Sequence, residues 1–276
     1  MRQRLAVAPA LVLVGAVLVG SLGTAFAQSL GAMSLTGDGQ LGWDAYSAVL
    51  AEGAPTALFV GITVAAAATA LAVAVGMAVV VAVRATARGG RLLASAAALT
   101  VPVPHLVGAV GVGLLLSDSG LLARLADPPP GEWPQLVAGR WWGAVVLELA
   151  WKESAFIALV VLSSLPADTG QLDDTAAVLG ASARRRFTAV TLPLARPALI
   201  VAATVSFVYA VGSYEVAWLL GPVYPESLPV LAYRLFTSTD LAVRPEAMAA
   251  SMLLVGVCLA ATLFAAGPLR RRWVAT

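Results

Sequence analysis

Residues 174–193 read Asp-Thr-Ala-Ala-Val-Leu-Gly-Ala-Ser-Ala-Arg-Arg-Arg-Phe-Thr-Ala-Val-Thr-Leu-Pro. The residue types spell a short helix, a stop and a restart. Asp174 suits the first turn of a helix, where a carboxylate meets the positive end of the macrodipole. Thr175, Ala176, Ala177, Val178 and Leu179 continue a compact helical face. Gly180 either ends that helix or lets another backbone approach closely. Arg184, Arg185 and Arg186 follow, and Leu192-Pro193 with Pro197 punctuate entry into the next apolar run. A basic segment of this kind, lying between two long apolar runs, reads as a loop on one face of a membrane.

The rest of the chain agrees. Of 276 residues, 60% are hydrophobic and 12% charged. A soluble domain carries about 25% charged residues, so too little polar surface exists here to coat a soluble globule. Six apolar runs are long enough to span a bilayer as helices: 5–27, 55–83, 92–116, 141–165, 197–220 and 247–269. They are too long for barrel strands and do not alternate apolar with polar. The expected fold class is therefore an all-α membrane protein of six transmembrane helices. It forms a single domain over 1–276, with a loop at about 166–196, no long linker and no evident internal repeat.

Arginine placement orients it. Arg2 and Arg4 precede the first run, and Arg84, Arg88 and Arg91 join the second to the third. Arg184, Arg185, Arg186 and Arg196 lie between the fourth and fifth, and Arg270, Arg271 and Arg272 follow the sixth. The opposite segments hold only Arg124, Arg140, Arg234 and Arg244. The positive-inside rule then puts both termini in the cytoplasm. Ala25-Phe26-Ala27-Gln28 also fits a signal-peptide cleavage site. The preceding run exceeds the usual 7–15 residue core, which favours an uncleaved span. Outside lie a Gly-rich loop with Asp38, Asp44 and Glu52, a loop with Pro128-Pro129-Pro130, and a third with Pro222, Pro225 and Pro229. Trp133, Trp141 and Trp142 suit the membrane–water interface.

The 174–193 stretch resembles the EAA loop of binding-protein-dependent ABC permeases, whose pattern is E-A-A, three residues, G, nine residues, I-x-L-P. Asp174 takes the Glu place, Thr175 and Ala176 the two Ala places. From Gly180, nine residues lead to Val190, and Leu192 and Pro193 close the pattern. Asp for Glu and Thr for the first Ala are the departures. The resemblance implies a type I ABC importer permease subunit in a bacterial inner membrane. Two copies of a cytoplasmic ABC ATPase would partner it, with a second permease (a copy or a relative) and an extracytoplasmic binding protein. Asp174, Thr175, Ala176 and Gly180 would lie at the ATPase contact, with Leu192 and Pro193 setting the return into the bilayer. ATP and magnesium would sit on the partner ATPase.

This chain carries no phosphate-binding P-loop. Its only lysine, Lys152, is followed by Glu153 inside a span. One histidine, His105, and one cysteine, Cys258, make a metal site or a hydrolytic triad improbable. Nothing in the composition suggests a nucleic-acid partner.

Charges inside spans are costly, roughly 2.5–3.5 kcal/mol each on insertion scales. Glu148 and Lys152, four apart, are expected to pair across one helical turn. His105, after Pro102 and Pro104, would lie roughly 15–20 Å into its span at about 1.5 Å per residue, lining the substrate path or bonding a neighbouring helix. Tyr214 and Glu215 fall toward the outer end of the fifth span. Glu215 could attract a cationic substrate or pair with Arg234. Gly108, Gly111 and Gly113 read as packing positions. The substrate branch looks most like the polyamine, thiamine, iron or sulfate permeases, and a polyamine or other small cation is the expected solute. The competing class is an ion-gradient-driven secondary transporter using Glu148, Lys152 and Glu215.

Overall fold

A computed structural model describes residues 2–33, 41–129 and 131–273. Asp38 and Pro130 lie outside the described residues, as do the side chains of Arg2, Arg4, Arg88, Arg270, Arg271 and Arg272. The described chain is helical: α1 (Arg2–Ser29), α2 (Asp44–Ala51), α3 (Ala54–Ala85), α4 (Ala87–Thr100), α5 (His105–Leu116), α6 (Leu121–Ala126), α7 (Gly143–Ser164), α8 (Thr169–Val178), α9 (Ala183–Arg186), α10 (Leu192–Gly212), α11 (Tyr214–Leu220), α12 (Leu228–Phe236) and α13 (Arg244–Trp273). A π turn, Phe187–Thr191, joins α9 to α10, and a 3-10 turn, Leu241–Val243, precedes α13.

Five helical stretches among the described residues are long and apolar enough to cross a membrane: Val7–Ser29, Ala54–Ala85, His105–Ala126, Ala183–Gly212 and Leu241–Gly267. The fourth expected span, 141–165, is not among them: it contains α7, whose 22 residues carry Glu148, Lys152 and Glu153. Two expected spans are interrupted. The run 92–116 divides into α4 and α5 around Pro102 and Pro104. Pro104 lacks the N–H that a continuous helix would aim at the Thr100 carbonyl. The run 197–220 starts earlier, at Leu192, and breaks at Ser213, beside Gly212.

The chain divides into two compact units. In the unit formed by residues 1–60 and 225–257, α2, the start of α3, α12 and the start of α13 share a core. Val49, Ala54, Leu228, Leu231, Leu235 and Ala250 form it. Leu228, Leu231 and Leu235 recur at the spacing of one helical face, which is why α12 buries that face and exposes Tyr233. Arg234 binds Glu226 (2.8 Å) and Glu52 (3.2 Å), so acidic residues of its own unit take the place considered for Glu215. The Glu226 hydrogen bond, the larger cause, raises the guanidinium further above its ordinary value. α1 is tied at its end by the Ser29–Tyr46 hydroxyl pair (2.9 Å), while its most apolar stretch buries nothing within the chain.

In the unit of residues 61–224 and 258–276, α3, α7 and α10 pack through Ala72, Val80, Ile157, Val161, Ala195 and Ala202. Small side chains let these helices come close. Gly76 marks a close approach of α3 to α7, since a Cβ there would stand 2.9 Å from the Ser154 carbonyl. Trp142 does not face the interface as expected. It is buried, in the left-handed conformation, at the start of α7, whereas Trp141 is exposed beneath Arg140.

Candidate functional site

Two groups of residues singled out by sequence fall in the second unit. The first is the helix–glycine–helix element. α8 begins at Thr169, five residues before Asp174, so Asp174 is an exposed mid-helix residue and not the helix start expected of it. The missed signal was Pro166, whose carbonyl accepts both the Thr169 N–H and its hydroxyl and starts the turn. The end of α8 is as anticipated. The Gly180 N–H donates to the Ala177 carbonyl (2.9 Å) and the Ala181 N–H to the Ala176 carbonyl (2.9 Å), the paired bonds of a Schellman motif. Gly180 has φ +83°, and a Cβ there would meet nothing within 4 Å. The glycine is therefore present for its backbone conformation, not for close approach.

Ser182 caps the next turn through the Arg185 N–H. The Leu192 N–H reaches back five residues to Phe187, because Pro193, next along, has no N–H to offer Ala189. This produces the π turn. Two arginines hold the assembly. Arg84, at the end of α3, donates to Thr191 Oγ1 (2.7 Å) and the Thr169 carbonyl (3.3 Å). Arg186 binds Asp173 (3.0 Å). Neither contact was visible in the sequence, which shows no spacing rule linking residue 84 to residues 169 and 191. Thr175, Val178 and Leu179 face outward, Val178 88% and Leu179 82% exposed. The element is a braced ridge with an apolar tip.

The second group lies within the helical layer. Glu148 and Lys152 do not form the expected pair. Lys152 Nζ donates to the carbonyls of Thr100 (2.7 Å), Val101 and Val103. The helix break around the prolines turns these carbonyls toward α7, the Thr100 carbonyl also accepting the Val103 N–H (3.2 Å), and the three donors of a buried ammonium match three converging acceptors. Glu148, 0% exposed, turns to His105 instead, its Oε1 3.4 Å from Nδ1. On the other edge of the ring, Nε2 stands 3.6 Å from Glu153 Oε1. Ser206 of α10 donates to Glu153 Oε2, and the Tyr209 ring meets that of His105 at 4.3 Å between centroids, tilted by 37°. Gly108 permits this, because a Cβ there would stand 2.7 Å from Glu148 Oε1. Glu215 is exposed in the first turn of α11, next to Tyr214. Glu153 was noted within its span but given no role, and Ser206 and Tyr209 were not singled out, since only the fold brings α10 to this group. No cluster suited to a metal ion occurs among the described residues.

No protein-family model matches the chain. Inner membrane ABC transporter permease protein YnjC of Escherichia coli K12 is 31% identical over 173 residues, 62% of this chain and 32% of that protein. A probable molybdenum ABC transporter permease protein of Haloferax volcanii is 29% identical over 144 residues, 52% of each. The chain spans about a quarter to a half of the length of the curated relatives it matches. Among solved structures, a chain of a bacterial ABC transporter involved in the import of the acidic polysaccharide alginate superposes with TM-score 0.74. Their identity is 17%, over 98% of this chain and 99% of that one. This molecule thus has the fold of ABC importer permeases, its sequence relatives are ABC transporter permeases, and it is a multi-pass membrane protein.

Proposed function

We propose that this chain is the permease subunit of an ATP-driven importer, forming half of a translocation path across a bacterial inner membrane, with both termini in the cytoplasm. The observation that carries the proposal is the braced ridge of α8 and α9. It presents exposed Val178 and Leu179 and is tied by Arg84 to the foot of α3 and by the π turn to α10. A push on the ridge is thereby delivered to two long helices. Asp174, Thr175, Ala176 and Gly180 form or terminate the surface offered to an ABC ATPase, two copies of which would bind ATP and magnesium. Leu192 and Pro193 lead the motion into α10.

A second permease, identical or related, completes the pore, and an extracytoplasmic binding protein delivers the solute. One structural neighbour is an alginate ABC transporter in complex with a periplasmic protein carrying an alginate pentasaccharide. For the solute we propose a small cation such as a polyamine, supported by exposed Glu215, next to half-buried Tyr214, beside the break between α10 and α11. His105 lies on the same unit, as a lining or packing residue of that path.

The test is purification of the tagged chain in mild detergent with identification of what accompanies it. A P-loop ATPase with a second permease, or the ATPase alone around a homodimer, is expected. The chain recovered alone from several detergents, without an ATPase, would overturn the reading in favour of an ion-driven transporter.

A further inference from the structure

We propose that His105, Glu148 and Glu153 together form a buried binding site for one exchangeable proton between α5 and α7. The basis is a count of donors. Each nitrogen of the His105 ring faces a different carboxylate, Nδ1 that of Glu148 and Nε2 that of Glu153. A neutral imidazole has one N–H, so with both carboxylates ionised one ring lone pair opposes a carboxylate lone pair.

The neighbouring donors are already engaged. Lys152 of α7 is committed to the carbonyls of Thr100, Val101 and Val103. Ser206 of α10 donates its hydroxyl hydrogen bond to Glu153 Oε2. Tyr209 lies ring against ring on His105, and Glu215 of α11, whose charge reaches Tyr209, adds a further negative charge. Both oxygens of Glu148 and Nδ1 of His105 are buried without a hydrogen bond.

Glu148 is fully buried and accepts no hydrogen bond, and one ammonium, Lys152, is shared between its charge and that of Glu153, so the desolvation of two carboxylates is only partly offset. One added proton removes the conflict. On the ring it makes an imidazolium whose charge faces both carboxylates, at 3.4 and 3.6 Å. On Glu148 or Glu153 it makes an acid that donates to the ring. Either way the packed arrangement of α5 on α7 contains that proton, and losing it sets like lone pairs against each other beside the break at Pro102–Pro104. The site needs no ATPase and stands apart from the assignment of the ridge.

His105 is the only histidine of the chain, so magnetic resonance of isotope-labelled histidine reads it alone. The full chain, purified through a tag without histidine and placed in lipid nanodiscs, is titrated across neutral pH. An infrared spectrum reports protonated carboxyl groups in parallel. The expected result at neutral pH is an imidazolium or a protonated carboxyl. Glu148→Gln is expected to lose that signature at the same pH. Should that variant fail to fold, Glu153→Gln takes its place, and the wild-type titration decides by itself. A neutral imidazole with no protonated carboxyl at neutral pH in the wild type would overturn the proposal. So would a signature unchanged by either substitution.

Discussion

Gly180 separates two explanations that a sequence leaves joined. With φ at +83° and open space where a side chain would go, bulk is not the obstacle. The left-handed backbone is, at about 1–2 kcal/mol for an ordinary residue, with Asn best tolerated after Gly. Uptake should therefore fall in the order Gly, Asn, Ala, Val at position 180, with expression and insertion intact and the last nearly inactive. Equal uptake by Asn and Val in a solute-accumulation assay would remove the backbone from the explanation. Gly76 is the opposite case. It has no special conformation, but a Cβ would press on the Ser154 carbonyl, which is backbone and cannot swing aside. Gly76→Val should cost about 1–3 kcal/mol as overpacking, measured as a lower unfolding temperature in detergent. An unchanged temperature would mean that α3 and α7 are loosely seated there.

Elements were legible where chemistry is local. The long apolar runs became helices, and the Ala-Ala-x-x-x-Gly ending of α8 became the turn its glycine demands. The prolines at 102 and 104 announced free carbonyls, and the carbonyls are there. Their partner was not legible, because Lys152 lies some fifty residues away and was assigned by i,i+4 spacing to Glu148. Spacing along one helix finds neighbours on that helix, whereas a buried ammonium goes where three acceptors converge. Lys152→Met should thus loosen the α4–α5 break, removing charge-assisted hydrogen bonds worth about 1.5–3 kcal/mol. Faster amide exchange around 100–107, with α8 unaffected, is the expected pattern. Equal protection in both proteins would show that the break holds itself. The bracing of α8 by Arg84 was hidden for the same reason: an arginine in a positive-inside loop looks like a topological signal whatever it binds.

At the scale of the molecule, hydropathy alone divides the helices unevenly. Among the described residues five stretches satisfy length and composition, and α7 has the length but carries three ionisable groups inside its packing. Counting α7 as a span gives an even number and places both ends on one side, as the arginines indicate. Reporter fusions at residue 276 and at the N-terminus should both be active only with a cytoplasmic reporter. A C-terminal fusion active outside would make α7 a helix that does not cross.

Lys152 is the only lysine of the chain, and it is 3% exposed. Toward amine-directed reagents the side chains of the folded chain are therefore almost inert. Acylating labels, amine cross-linkers and lysine-cleaving proteases would pass over it. The same burial turns Lys152 into a chemical clock. Any modification there records a moment when the ammonium had left the carbonyls of Thr100, Val101 and Val103, and the yield over time counts those departures.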